Sequence, residues 1–210
     1  MDILDPRAER YLEDLASVDD EPIVLEMEEL ARQKGFPIIG RLCGRSLEVM
    51  ARAVGATRIF ELGSGFGYSA YWFSKATGAD GEIHLTDASD DNRRQALDFL
   101  GRAGLDKPIT YHVGDALESL AAVDGEFDVV YCDIDKQGYP DAWRAGKERV
   151  RVGGLYMCDN MFFHGEAFDP GNHELGAAVN ETNRAIAGDP DWRSFINPTR
   201  DGVVVAIRLR

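Results

Sequence analysis

The sequence predicts one doubly wound α/β domain of seven strands, preceded by a helical cover and closed by an antiparallel pair. Three observations predict it. From Thr57 onward short apolar runs alternate with amphipathic stretches, the pattern of βαβ units around a parallel sheet buried on both faces. Before that point the apolar residues recur at helical spacing. The last two apolar runs are separated by Asp201-Gly202, a turn that reverses the chain into a hairpin.

In the cover, Asp20 can cap a helix with Pro22 in its first turn. Ile23, Met27, Leu30 and Ala31 fall on one face, and Gly35 is the stop. A second helix is predicted over 45–54, ending at Gly55. Strands follow at 57–62, 82–87, 109–113, 127–132 and 153–158, with helices over 68–76, 90–103 (closed by Gly104), 116–122 and 141–150. The tail reads as a helix over 174–187 and strands over 192–196 and 203–209. With no repeat, low-complexity tract or linker, residues 1–210 are expected to form a single domain: a cover over 1–55 and an α/β core over 56–210.

Composition narrows the class. At 210 residues, 44% hydrophobic and 29% charged, the chain can bury roughly 70% of its unfolded surface without a disulfide or metal staple. No run approaches the ~18 apolar residues of a membrane span, and MDILDPRAER lacks a basic-then-apolar leader pattern. Cys43, Cys132 and Cys158 form no CxxC pair and leave one over, which points to reduced thiols and a cytoplasmic location. The net charge of −14, from 23 basic and 37 acidic residues, repels nucleic acid and anionic membranes at long range.

In such sheets ligands bind beyond the carboxyl ends of the strands. The first strand ends in Glu61-Leu62-Gly63-Ser64-Gly65-Phe66-Gly67-Tyr68-Ser69, and its glycines let the backbone turn sharply and approach a ligand. Its spacing is ExGxGxG; a dinucleotide fingerprint would need glycine where Tyr68 stands. Asp87 ends the second strand, where a carboxylate can accept from both hydroxyls of a ribose or simply cap the next helix. Gly114-Asp115-Ala116, after the third strand, either borders an adenine or starts a helix. The fourth strand runs into Asp133-Ile134-Asp135-Lys136, the fifth into Asp159-Asn160. If these strands are neighbours, Asp133, Asp159 and Asn160 converge, and three hard oxygen ligands suit Mg²⁺, Mn²⁺ or Ca²⁺.

At these residues the chain resembles the cation-dependent O-methyltransferases that use S-adenosylmethionine, of the caffeoyl-CoA and catechol O-methyltransferase type. The resemblance covers roughly residues 20–210. It rests on ELGSGFGYS for the family's EIGxxxGYS, DIDKQGY for DADKxxY, DNMFFHG for DNVLWxG and RDGVVVAIR for GDGxxxAxK. It implies the Rossmann-like, doubly wound seven-stranded sheet of class I methyltransferases with the last strands antiparallel. It implies Asp133, Asp159 and Asn160 as ligands of Mg²⁺ (or Mn²⁺ or Ca²⁺), and Lys136, beside Asp133, as the catalytic base. It implies Ile39, Glu61, Gly63, Ser64, Ser69, Asp87, Ala116 and Asp135 as contacts of S-adenosylmethionine. A homodimer closed by the N-terminal helices is expected from the same resemblance.

The departures are specific. Ser64-Gly65-Phe66 replaces a Thr-Phe-Thr run, which predicts altered side-chain contacts on a similar backbone path. Ile134 stands where a small residue is usual, and Asn197-Pro198-Thr199-Arg200 replaces the usual Pro-x-Gly approach to the final turn. The acceptor is expected to be a small catechol-like or other vicinal-oxygen aromatic. Transfer RNA is the one nucleic acid to weigh, because MEELARQKGFPI resembles the branch that methylates 5-hydroxyuridine, and the acidic charge opposes it. A non-catalytic nucleoside-binding module is the third alternative. Residues 161–173 are long and aromatic enough to form a lid, with Phe162 and Phe163 either stacking on a ring or anchoring the loop. Tyr139 and Trp143 either line the pocket or pack a helix start, and His164 and His173 read as surface residues.

Overall fold

The computed structural model describes residues 5–17, 21–105 and 108–210. The cover is three helices: α1 (Pro6–Ala16), α2 (Pro22–Lys34) and α3 (Gly40–Ala53). Asp20, expected to cap α2, lies outside the described residues; Glu21 holds the cap position and Pro22 the first turn. Gly35 closes α2 in the left-handed region (φ 61°), as its place after Lys34 predicts. α3 begins at Gly40, well before the predicted Arg45, and takes in Leu42 and Cys43 as an extra turn whose Cys43 enters the core.

The core then alternates: β1 (Arg58–Leu62), α4 (Tyr68–Thr77), β2 (Glu82–Asp87), α5 (Asp90–Arg102), β3 (Ile109–Val113), α6 (Ala116–Ala122), β4 (Phe127–Cys132), α7 (Tyr139–Lys147), β5 (Val150–Cys158), α8 (Glu174–Gly188), β6 (Trp192–Asn197) and β7 (Val203–Arg208). The helix expected over 141–150 is shifted. It stops at Lys147, and Val150 opens β5 by pairing with Phe127, a place where a β-branched residue fits a pleated strand better than a helix.

The sheet order is β3-β2-β1-β4-β5-β7-β6. β1 to β5 run parallel, while β7 lies antiparallel to both β5 and β6. The order reverses between β1 and β4, so their carboxyl ends flank the crevice in which such sheets bind ligands. Strand periodicity divides the core in two. Ile59, Val129, Tyr131, Leu155 and Met157 face α2, α3 and α4, whereas Phe60, Val130, Cys132, Tyr156 and Cys158 face α7 and α8. Met27 is fully buried in the first of these layers, and all three cysteines are buried and free. No helix among the described residues is long and apolar enough to cross a membrane.

The cover grips the core where α3 meets α4. Gly44 sits against the Trp72 indole so closely that an added Cβ would overlap the ring. Gly44→Ala is therefore expected to lower stability by about 1–3 kcal/mol, read as a reduced urea midpoint at unchanged slope.

Candidate active site

The loop after β1 is held by hydrogen bonds from β2. Gly63 N donates to Thr86 Oγ1 (3.0 Å), which itself donates to the Glu61 carbonyl (2.9 Å). Ser64 N donates to the Thr86 carbonyl (2.7 Å), and Thr86 N donates to Ser64 Oγ (3.1 Å). Tyr111 OH donates to the Gly65 carbonyl (2.5 Å). Gly63 needs its lack of a side chain: at φ 84° a Cβ would stand 2.5 Å from the Asp133 carbonyl. Thr86 and Tyr111 were not visible as site residues in the sequence; a lone hydroxyl in the apolar strand before Asp87 was the available signal.

These loops open on a cavity of about 1180 Å³ at the switch point. Gly63, Ser64, Ser69, Asp87, Ala116 and Asp135 line it. Ser64 Oγ is engaged by Thr86, and Asp87 Oδ1 accepts from Ser89 N (2.8 Å) and Asn92 Nδ2 (3.0 Å). Asp115 caps α6, accepting from Leu117 N and Glu118 N, and also lines the cavity. Gly114 (φ 147°) borders it with open space where a Cβ would stand.

Asp133, Lys136, Asp159, Asn160 and Ile39 line it as well. The strands bring them together: Cys132 and Cys158 are register partners, and Asp159 N donates to the Cys132 carbonyl (3.1 Å). Asp159 is 7% exposed. Burial first, and then repulsion from Asp133, push its pKa up to about 7. Burial likewise raises Asp133, against the pull of Lys136, whose Nζ lies 3.3 Å from Asp133 Oδ1. The Lys136 ammonium thus forms an ion pair with Asp133, and it sits 4.8 Å over the Tyr139 ring. Asn160 Nδ2 donates to Asp201 Oδ2 (3.4 Å), which assigns Oδ1 as the atom available to a ligand. Among the described residues no three His, Cys, Asp or Glu side chains group as a metal centre would. The candidate set is two carboxylates and an amide, a hard oxygen set matched to a divalent cation of the magnesium or calcium kind.

Glu61 is placed differently. It does not line the cavity but lies fully buried beneath it, accepting from Ser69 Oγ, with its Oε2 lacking any hydrogen-bond partner. Burial lifts its pKa to about 8.

The cavity wall also carries strained backbone. Among the described residues the non-glycine positions with positive φ are Asn160 (56°), Phe163 (45°), His164 (55°) and Arg200 (55°), and all four line this cavity. Phe163 faces it, whereas Phe162 anchors the loop, packing on Gly202 and edge-on to Phe168 (5.4 Å between centroids). His164, read from sequence as a plain surface residue, is at the mouth, and His173 caps α8. Tyr139 and Trp143 pack instead of lining: Tyr139 OH donates to the Asp159 carbonyl (2.9 Å), and Trp143 stacks edge-on with Tyr156 and Trp192.

An open sheet in this order, with a glycine loop and acidic strand ends at its switch point, defines the class I methyltransferase fold. A family model described as O-methyltransferase matches residues 14–209, and the chain belongs to that family. Caffeoyl-CoA O-methyltransferase 2 of Populus trichocarpa is 28% identical over 80% of this chain and 73% of the relative. Among solved structures, the O-methyltransferase TomG of Streptomyces achromogenes, involved in tomaymycin synthesis and solved with SAM, superposes at TM-score 0.86, is 25% identical and covers 97% of this chain and 96% of its own. A methyltransferase of Geobacter sulfurreducens superposes at TM-score 0.86 with 26% identity, covering 100% and 99% of the two chains.

Proposed function

We propose that the chain transfers the methyl of S-adenosylmethionine to a hydroxyl of a small catechol-like or vicinal-oxygen aromatic, with a divalent cation held by Asp133, Asp159 and Asn160. The observation that carries this reading is that one cavity is lined both by the glycine loop with Asp87 and by the oxygen ligands Asp133, Asp159 and Asn160 with Lys136. TomG was solved with SAM, and the caffeoyl group in the name of the Populus relative is itself a catechol.

Seven aspartates line the cavity, against two permanent cations, Lys136 and Arg200. Such a wall favours a donor that carries positive charge and a bound metal ion. The donor supplies an activated methyl on sulfur, and a divalent cation, when bound, supplies charge that favours the deprotonated hydroxyl. The chain's own residues do the remainder. Asp87 accepts from ribose hydroxyls, and the backbone at Gly63 and Gly114 lets the donor lie close. Lys136 would receive the acceptor's proton only as the neutral amine; as the ammonium placed by Asp133 and the Tyr139 ring it steadies the oxygen left behind. Holding acceptor and donor in line accounts for much of the rate, because no covalent intermediate is required.

The test is methyl transfer to catechol with EDTA, and with Mg²⁺ restored. Full activity under chelation would remove the cation from the reading. Asp87→Ala is expected to raise the KM for the donor by about ten- to hundredfold with a smaller change in kcat, as loss of charge-assisted hydrogen bonds to bound ligand predicts.

A further inference from the structure

We propose that Arg200 is a specificity-determining residue that reads an anionic substituent of the acceptor, so that the preferred acceptor is a carboxylated aromatic diol and not a neutral catechol. This deepens the reading above and rests on it.

Arg200 occupies the turn between β6 and β7 at φ 55°, a conformation that glycine adopts freely and that costs an ordinary residue about 1 kcal/mol or more. Strain of this kind persists where the side chain has a task. Here that side chain reaches the acceptor wall of the cavity, next to Asp201, the residue that holds Asn160. Its charge is felt at both Asp133 and Asp159, lowering their proton affinity.

Three side chains on the cavity wall can carry positive charge, and two are committed. Lys136 is paired with Asp133, and His164 lies with its Nδ1 3.8 Å from Asp201. Arg200 has no carboxylate partner among the described residues; its Nη1 donates to the Ile38 carbonyl (2.5 Å). That bond uses one of five N–H donors and fixes the guanidinium between the final turn and the 36–39 loop. The remaining donors form a planar fork suited to a carboxylate. In a cavity lined by seven aspartates, an acceptor anion is repelled everywhere except beside a cation with unspent donors. Arg200 meets that condition on the wall of the same cavity that Asp133 and Asp159 line, so it can hold the acid group of an acceptor whose hydroxyls face those two carboxylates.

The experiment compares 3,4-dihydroxybenzoate with catechol, in wild type and in Arg200→Gln, Arg200→Lys and Arg200→Gly. The first measurement is kcat/KM for methyl transfer. The second is equilibrium binding of the same two compounds by calorimetry, which reads Arg200 even if neither is methylated. The wild type is expected to prefer the carboxylated compound, and Arg200→Gln to lose about ten- to hundredfold more on it than on catechol. Arg200→Lys should recover part of that preference. Arg200→Gly relieves the backbone strain, so a lost preference there cannot be charged to a misfolded turn. Equal losses on both compounds would make Arg200 only a strut for the 36–39 loop and overturn the proposal, as would a wild type without preference in binding. No methyl transfer to either compound, with the binding preference intact, would overturn the proposed acceptor chemistry while leaving the anion-reading role in place.

Discussion

Asp159→Asn is expected to lower kcat by about a thousandfold while making the metal-free protein more stable at pH 8. The two effects have one cause. Asp159 is buried beside Asp133, and its pKa stands near 7 because burial and the neighbouring carboxylate oppose its ionised form. A carboxylate whose folded pKa exceeds its unfolded value stabilises fully below the unfolded value and loses that contribution as pH rises through the folded one. At pH 8 the ionised pair therefore strains the metal-free fold, and a neutral amide of the same shape removes the strain. In the metal-bound enzyme proposed above a cation would relieve the same repulsion, and losing several kcal/mol of charge stabilisation would correspond to about a thousandfold in rate. The measurement is a thermal melt at pH 4 and pH 8, with and without Mg²⁺. In EDTA the variant should melt higher than wild type at pH 8 and alike at pH 4. Adding Mg²⁺ should raise only the wild type. A wild type indifferent to Mg²⁺, or a variant melting lower at pH 8, would refute the shared cause.

Much of this arrangement was legible in the sequence because period-two runs and glycine spacing are local signals. Phe127–Cys132 needed no partner to be recognised as a strand, and its end fixed the place of Asp133. The ligand-bearing ends of β4 and β5 could be inferred as neighbours because parallel strands in such sheets follow a short menu of orders. What was not legible depended on contacts between distant segments. Glu61 reads as a contact of the donor, yet it lies one layer deeper, because the helix that begins at Tyr68 sets Ser69 over it. Thr86 looks like an ordinary strand residue until its hydroxyl is seen bridging Gly63 and Glu61. In sequence Arg200 is only part of a departure from the usual Pro-x-Gly approach to the final turn. Its meaning came only with the turn that carries it back to Ile38, on the far side of the chain.

The cover and the final hairpin thus meet at the acceptor wall. Ile39 ahead of α3, the Phe163–His164 segment after β5 and Arg200 before β7 come from three separated stretches of sequence. Gly63, Ser64, Asp87 and Ala116, by contrast, stand in or just after the loops that directly follow β1, β2 and β3. A fold divided in this way can alter its acceptor through the cover and the hairpin without disturbing the loops that hold the donor.

Glu61→Gln is expected to remove Glu61's own share of the pH dependence of stability that the wild type carries between about pH 4.5 and pH 8. Glu61 is fully buried, its pKa is raised from 4.5 to about 8 by burial, and the hydrogen bond from Ser69 only partly opposes that rise. Below pH 4.5 the folded and unfolded states both hold the proton, and the neutral side chain contributes its full stability. As pH rises toward 8 the unfolded chain releases the proton while the folded chain keeps it, so stability falls by up to about 1.4 kcal/mol per pH unit. The accumulated loss is on the order of a few kcal/mol, or roughly 5–15 °C in melting temperature for a chain of this size. Glutamine resembles the protonated form in shape and in carrying no charge. Melts in EDTA should therefore agree near pH 4.5 and diverge by pH 8.5, with the variant higher. A cationic donor in the cavity above Ser69 favours the ionised carboxylate, so binding S-adenosylmethionine at pH 7 should release close to one proton. Calorimetry in two buffers of different ionisation enthalpy counts that proton, and Glu61→Gln should release none. Parallel pH profiles for the two proteins would show that Glu61 is already ionised in the free fold, and the assigned burial effect would be wrong.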